Sequence, residues 1–430
     1  MTTMARSQPT ASTARRPRIG VDFHTFDGIF QGSRSHLLGV YREAVRTALD
    51  IDFVFFVGDP ERLRREDPAF SLPNVTLVRM KHRSAFARLG WQLAWAQLRH
   101  RIDLLHVQYR LPLLPLGPCA VTVHDVLFET HPQYFSAGFA RMARWTGRWA
   151  ARHARLLFTV SDYSRSEMMR LYGLAQERIH VTCNAVDSSR FLPGRQGMDL
   201  VRRRGLTPGR YLCTVGRIEP RKNHLKILQA YALLVEQHGP ALAQHGMALP
   251  PLVVIGQRDF GDQAVFDEVR RLGIETQVVF LETVTDEELP ALIRHARVFT
   301  YLSLAEGFGM PVLEAMACSV PVITSNTTAL PEVAGDAALL VDPEDAQTIS
   351  LAMARLMLDP WMSADLGRRG VEQAARFRWT SAARSLVSAF RQHFNLEPPL
   401  EEQPQPWPDH LAPIQQRAPS YRVLSWPNAA

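Results

Sequence analysis

The sequence predicts an α/β protein of two Rossmann-like, doubly wound domains that face each other across a cleft. Its 430 residues, 46% of them hydrophobic, exceed what one hydrophobic core ordinarily serves, since domains of about 150 residues are the common size. Short, partly β-branched apolar runs alternate with helical patterns, and continuous apolar strands of that kind belong to a parallel sheet covered on both faces. The alternation occurs in two series separated by a stretch rich in Pro and Gly.

Residues 1–17 mix Ser, Thr, Ala, Arg and Pro without periodicity and are expected to be a disordered tail. The first domain is expected over 18–190, with strands at Ile19–Phe23, Phe53–Val57, Leu104–Val107, Ala120–Val123 and Leu156–Val160. A helical pattern from about Ser35 to Leu49 follows the loop after the first strand. Residues 191–210, with Pro193, Gly194, Gly205, Pro208 and Gly209, interrupt both periodicities and form the expected linker. The second domain, 211–375, resumes with Tyr211–Val215, Leu252–Ile255, Val278–Leu281, Val298–Tyr301 and Val320–Ile323. A final helical pattern, Ser381–Phe394 within segment 376–395, is a candidate to pack back on the first domain. Residues 396–430, rich in Pro, Gln and Glu, read as a second disordered tail.

No run of about 18 apolar residues occurs, and Arg6, Arg15 and Arg16 precede no apolar stretch, so neither a spanning helix nor a signal peptide is expected. Cys119, Cys183, Cys213 and Cys318 lack paired spacing, which disfavours a disulfide framework and a zinc site and fits the cytoplasm. The net charge of +7 favours an anionic partner: nucleic acid, a phosphorylated substrate or an acidic membrane surface. No nucleic-acid-binding motif accompanies it, so nucleic acid is not expected.

The most informative stretch runs from Leu304 to Ala317, after a strand and into a helix. Gly307 and Gly309 permit close backbone approach, and Pro311 suits a first helical turn, where its missing N–H costs nothing. The N–H groups at that helix start form an anion site for a diphosphate. Glu306 on the loop and Glu314 about one turn into the helix bracket one ligand position. Ionised carboxylates accept from hydroxyls and repel phosphate, so the pair suits a sugar and a ribose. Standing alone, a Glu-x7-Glu spacing is more often an ordinary loop and helix; its context reverses that preference.

A second constellation, Val215 to His224, follows the first strand of the later domain. Gly216 frees the strand exit, while Arg217 and Lys222 are placed to neutralise the two phosphates of a leaving nucleotide. A solvated basic turn is the plain alternative. In the first domain His124 and Asp125 lie just beyond a buried strand, where His124 is a candidate to bond the transferred sugar or the acceptor, and equally a structural histidine.

These residues resemble glycosyltransferase family 4. Glu306, Gly307, Phe308, Gly309, Met310, Pro311 and Glu314 are similar to its Glu-x7-Glu signature, and Gly216, Arg217, Arg221, Lys222 and Asn223 to its phosphate-binding segment. Thr122–Asp125, Val160–Ser166 and Asn184–Asp187 add to a likeness spanning about 17–394. The resemblance implies the GT-B fold and retaining transfer from a nucleotide sugar, bound as substrate, with no cofactor and no essential metal. It implies that Glu306 holds donor-sugar hydroxyls, Glu314 the ribose, Arg217 and Lys222 the diphosphate, and that His124 lines the reacting centre. The donor phosphate then helps remove the acceptor proton, so no protein nucleophile is required. The first loop departs from the family's paired glycines: in Asp27–Arg34, Gly32 is the expected close-approach position and Arg34 a candidate phosphate or acceptor contact.

Thr122–Phe128 and Pro220–His224 are similar to bacterial mannosyltransferases that build O-antigen or exopolysaccharide chains, which makes GDP-mannose the preferred donor and a glycan or lipid-linked molecule the acceptor. UDP-sugars and a non-catalytic sugar-nucleotide-binding scaffold are the alternatives. From Lys81 to Arg170 there are 13 Lys plus Arg against 5 Asp plus Glu, with Trp91, Trp95, Trp145 and Trp149 in two helical patterns. Such a surface suits peripheral contact with anionic lipid at the inner face of the membrane; core tryptophans beside solvated arginines are the alternative.

Overall fold

The computed structural model describes residues 15–28, 32–80 and 84–397. Most of the two expected tails, and Ile29–Gln31 of the first loop, lie outside the described residues. Residues 15–17, assigned above to the tail, are held to the sheet: Arg15 pairs with Asp103 at 2.7 Å and Pro17 accepts from the Asp52 N–H at 3.0 Å.

Seven strands form the first sheet: β1 (Arg18–Asp22), β2 (Asp52–Val57), β3 (Val75–Arg79), β4 (Leu104–Gln108), β5 (Cys119–Thr122), β6 (Leu156–Thr159) and β7 (Ile179–Val181). All pairs are parallel, in the order β3-β2-β1-β4-β5-β6-β7. The second sheet holds β8 (Leu212–Val215), β9 (Leu252–Ile255), β10 (Val278–Leu281), β11 (Val298–Tyr301), β12 (Val322–Ser325) and β13 (Leu339–Val341), ordered β10-β9-β8-β11-β12-β13 and again parallel. Each order reverses once, between β1 and β4 and between β8 and β11, which are the points where such sheets open a crevice for ligand.

Three edge strands, β3, β7 and β13, join those read from the sequence, and β12 starts two residues later than expected. Pro321 explains the shift: it has no N–H to donate and enters the ladder only through its carbonyl, which accepts from Phe299 at 3.0 Å. The first helix, Gly32–Thr47, begins three residues before the apolar pattern does.

Between the sheets, residues 191–210 include a helix, Met198–Arg203, and are tied to the second domain. Arg294 donates to the carbonyls of Arg190, Leu192 and Gln196 at 2.6–2.9 Å. The last helix, Trp379–Phe394, returns to the first domain and lies on Gly32–Thr47. Gly39 makes the approach possible, because a Cβ there would meet the Trp379 ring at 2.3 Å. Arg391 grips Asp50 with two bonds of 2.9 and 3.0 Å, and Phe390 packs edge-on against Phe158.

Candidate active site

The crevice between the domains encloses about 870 Å³. Its second-domain wall is made where β8 and β11 end. After β11 the chain turns through Ser303–Gly309 into the helix Met310–Ala317, with Gly309 at its N-cap at φ 115°, a left-handed conformation that favours glycine. After β8 it turns through Gly216–Asn223 into the helix His224–Leu233. The two turns are stitched together: Leu304 N–H donates to the Arg221 carbonyl at 2.9 Å, and Arg221 Nη1 to the Ala305 carbonyl at 2.9 Å.

This stitching sets Glu306 among cations. Its Oε1 accepts from Lys222 Nζ at 2.6 Å and from the Tyr301 hydroxyl at 2.8 Å, and Oε2 lies 3.0 Å from Arg221 Nη1. Burial alone would raise its pKa; Arg221 and Lys222 outweigh burial and hold it at about 2. Burial in turn lowers the Lys222 pKa, against the opposing pull of Glu306. The cluster is thus a nearly buried carboxylate with two compensating charges, the condition under which an interior ion is tolerated.

Arg217 also lines the crevice and pairs with Asp259 at 2.6 Å, outside the Glu306 cluster. Glu314 is half-buried on the same wall, and burial lifts its pKa to about 7. A Cβ on Gly216 would sit 3.4 Å from the Lys222 side chain, which therefore runs along the bare strand exit.

On the first-domain wall His124 is buried, with its ring 5.0 Å from His36 and 5.3 Å from Tyr109. Burial, then His36 and His106, push its pKa well below the usual value, so the ring is neutral near pH 7. Its Nε2 is 2.6 Å from Gln108 Oε1, an arrangement that places the ring proton on Nε2. Gly32, the first residue of its helix, has open space where a Cβ would point. Arg34 is buried beside Glu66, 3.6 Å away, and over the Phe26 ring.

The two walls touch at Gly307. A Cβ there would lie 2.6 Å from Asp125 Cβ and 2.9 Å from the His124 carbonyl, and the Gly307 carbonyl accepts from Ser161 Oγ at 2.7 Å. The structure therefore brings Gly32, His124, Gly216, Arg217, Lys222, Glu306, Gly307, Phe308, Gly309, Met310 and Glu314 to one crevice.

With that geometry in place, known proteins give a consistent comparison. Residues 30–190 match the family model of Glycosyltransferase Family 4, and residues 203–373 that of Glycosyl transferases group 1. Over 301 residues the chain is 35% identical to the O-antigen chain mannosyltransferase B of Escherichia coli, spanning 69% of this chain and 76% of that one. The chain is a family 4 glycosyltransferase.

Solved structures show the GT-B fold of this glycosyltransferase. Sucrose-phosphate synthase from Thermosynechococcus elongatus matches with a TM-score of 0.69 at 19% identity, covering 88% of this chain and 100% of that one. Anabaena HepE, solved with UDP-glucose, matches with a TM-score of 0.67 at 17% identity, covering 87% and 99%.

Several groups in the crevice of the glycosyltransferase or near it escaped the sequence reading. Tyr301 and Arg221 complete the Glu306 cluster; Arg221 stood in the recognised segment without a separate role, and Tyr301 looked like the end of a strand. Asp22, at the carboxyl end of β1, faces His24 Nδ1 at 3.1 Å and is paired with Arg88. Only the fold brings Arg88 there, 66 positions along the chain. Glu332 reaches from the second domain to the first and accepts from the N–H groups of Asp162 and Tyr163, both at 2.9 Å, at the start of the helix Asp162–Tyr172.

Proposed function

We propose that this glycosyltransferase moves mannose from GDP-mannose, with retention of configuration, onto a glycan or lipid-linked acceptor in cell-surface polysaccharide assembly. The likeness to the O-antigen mannosyltransferase, at 35% identity over 69% of the chain, carries the reading of sugar and pathway. The UDP-glucose complex of HepE is too distant, at 17% identity, to weigh for a UDP-sugar.

In this reading Glu306, kept ionised by Arg221 and Lys222, accepts from donor-sugar hydroxyls. Lys222 and Arg217 take the diphosphate as charge develops on it, which is stabilisation of the leaving group. The N-terminus of Met310–Ala317 adds its backbone N–H groups to the same anion. Glu314 meets the ribose hydroxyls. His124, neutral and oriented by Gln108, lines the reacting centre as a hydrogen-bonding group rather than a charged acid. The bond from the anomeric carbon to the donor phosphate breaks on the face where the acceptor oxygen attacks, and the departing phosphate accepts the acceptor proton. Among the described residues no helix is long and apolar enough to cross a membrane; the cytoplasm, where nucleotide sugars serve as donors, is the proposed compartment.

A panel of GDP- and UDP-sugars, with binding and slow donor hydrolysis measured for wild type and Glu306→Gln, tests this. Selective GDP-mannose turnover that falls in the variant is expected. Preference for a UDP-sugar overturns the donor, and absence of binding to every nucleotide sugar overturns transfer itself.

A further inference from the structure

We propose that the outer face of the first domain, made by residues 84–99, 110–116 and the helix Ala137–His153, is a docking surface for an anionic lipid bilayer. This deepens the reading of a lipid-linked acceptor given above and rests on it only for its purpose, not for its physics.

Ten of the fourteen large apolar side chains exposed among the described residues lie in these three segments. In residues 85–99, Trp91, Trp95 and Leu98 recur at the i, i+4, i+7 spacing that ordinarily turns a stripe into the core. Here the stripe is exposed by 54%, 55% and 63%. The helix Ala137–His153 buries only small residues, Ala140, Ala143, Gly147, Ala150 and Ala151. Its outer side presents Phe139, Met142 and Trp145, the last 68% exposed, with Arg141, Arg148 and Arg152 along the flank. Of the four tryptophans noted in the sequence, only Trp149 packs inward, half-buried against the core.

The segments form one surface. Leu113 N–H donates to the Leu89 carbonyl at 2.9 Å, and Leu116 N–H to Gln97 Oε1 at 3.3 Å, which fastens the leucine loop to the tryptophan segment. Arg110 lies 3.9 Å from the Met142 sulfur and over the Phe139 ring, joining the loop to the helix Ala137–His153.

Charge selects the occupant. The three segments contain seven arginines and no Asp or Glu; Arg88 is buried on Asp22 and Arg144 and Arg148 pair with Glu129, so the charge offered to a partner is that of Arg99, Arg110, Arg141 and Arg152. A second copy meeting this face with its own would set arginine against arginine, which costs several kcal/mol in a self-complementary interface. Aromatic rings beside arginines suit the headgroup layer of an anionic bilayer, where rings sit at the interface and cations meet lipid phosphate. Position agrees with that occupant: Arg110, Phe139 and Ala143 border the crevice that also holds Glu306 and Lys222. A bilayer on this face sets the crevice mouth at the headgroup level.

Co-sedimentation of the full chain with vesicles tests the surface, comparing phosphatidylcholine alone with phosphatidylcholine plus phosphatidylglycerol. Binding is expected only with the anionic lipid and is expected to weaken in high salt. Trp91→Ser/Trp95→Ser/Trp145→Ser, and separately Arg141→Glu/Arg152→Glu, are each expected to weaken it about tenfold or more, since one basic residue near the surface contributes about 1 kcal/mol. The arginine pair is solvent-exposed, so its substitution guards against misfolding as the cause. Both variants are expected to keep donor hydrolysis in solution. Absence of lipid-dependent binding, binding indifferent to both variants, or a dimer that the tryptophan variant dissociates without any vesicle binding overturns the surface. Vesicle binding without donor turnover upholds the surface and counts against mannosyl transfer alone.

Discussion

Between β11 and the helix Met310–Ala317, Glu306 is buried against Lys222 and Arg221, and its proposed role and its contribution to stability come from that same contact. Its pKa falls from an ordinary 4.5 to about 2, so the stabilisation it gives is complete above about pH 4.5 and is lost as pH falls toward 2. Thermal melts between pH 2 and 5 are expected to show this loss in wild type. Glu306→Gln is expected to be less stable by about 3 kcal/mol near neutral pH, because it leaves Lys222 nearly buried without its counter-charge and Arg221 with Glu219 alone. Lys222→Ala is expected to lower donor turnover tenfold or more, about 1.4 kcal/mol of transition-state stabilisation; steady-state kinetics with unchanged turnover would remove its leaving-group role. Glu306, Lys222 and Glu314 were legible because each sits in a short motif at a strand's end. Tyr301 was not, since an apolar strand ending in tyrosine carries no sign that its hydroxyl will reach a carboxylate five residues on.

At the level of elements, the domains meet at the turn that holds Gly307 and at a helix start, beside a buried apolar cluster that runs from one domain into the other. Gly307 is required there by contact, and Gly307→Ala is expected to push the walls apart, at about 1–3 kcal/mol for an overpacked site. An increased radius of gyration in small-angle scattering, with reduced turnover, is the expected signature. Glu332 supplies the complementary contact as an acidic cap on the helix Asp162–Tyr172. Burial raises its pKa to about 7, so its contribution is present in full below about pH 4.5 and falls as pH rises through 7. Melts of Glu332→Gln are expected to show a smaller stability loss between pH 4.5 and 7 than wild type; identical slopes would remove Glu332 from that dependence. None of this was legible, because 170 positions separate Asp162 from Glu332 and each alone reads as a surface acid. The central strands were legible from continuous apolar runs, whereas β3, β7 and β13 were not. All three lie at a sheet edge: β7 and β13 have only three residues, and β3, with five, is half-buried or exposed throughout, so none carries a fully buried apolar run.

On the scale of the whole molecule, the chain builds one domain, then the second, and then returns to the first with Trp379–Phe394. The sequence offered the first domain as that helix's partner without the feature that decides it, the small Gly39 opposite Trp379. Trp379→Ala is expected to cost roughly 3–5 kcal/mol through the cavity left beside Gly39, read as a lowered Tm with the donor site's own residues untouched. A consequence follows for the order of synthesis. Domains generally fold as they emerge, the N-terminal one first, but here the first domain leaves the ribosome with one groove unfilled. Leu386, Val387 and Phe390, buried to within 2% in the finished protein, are made only after the entire second domain. A nascent chain therefore holds an apolar groove open for half its length, and any message broken before codon 395 yields a first domain that cannot be completed.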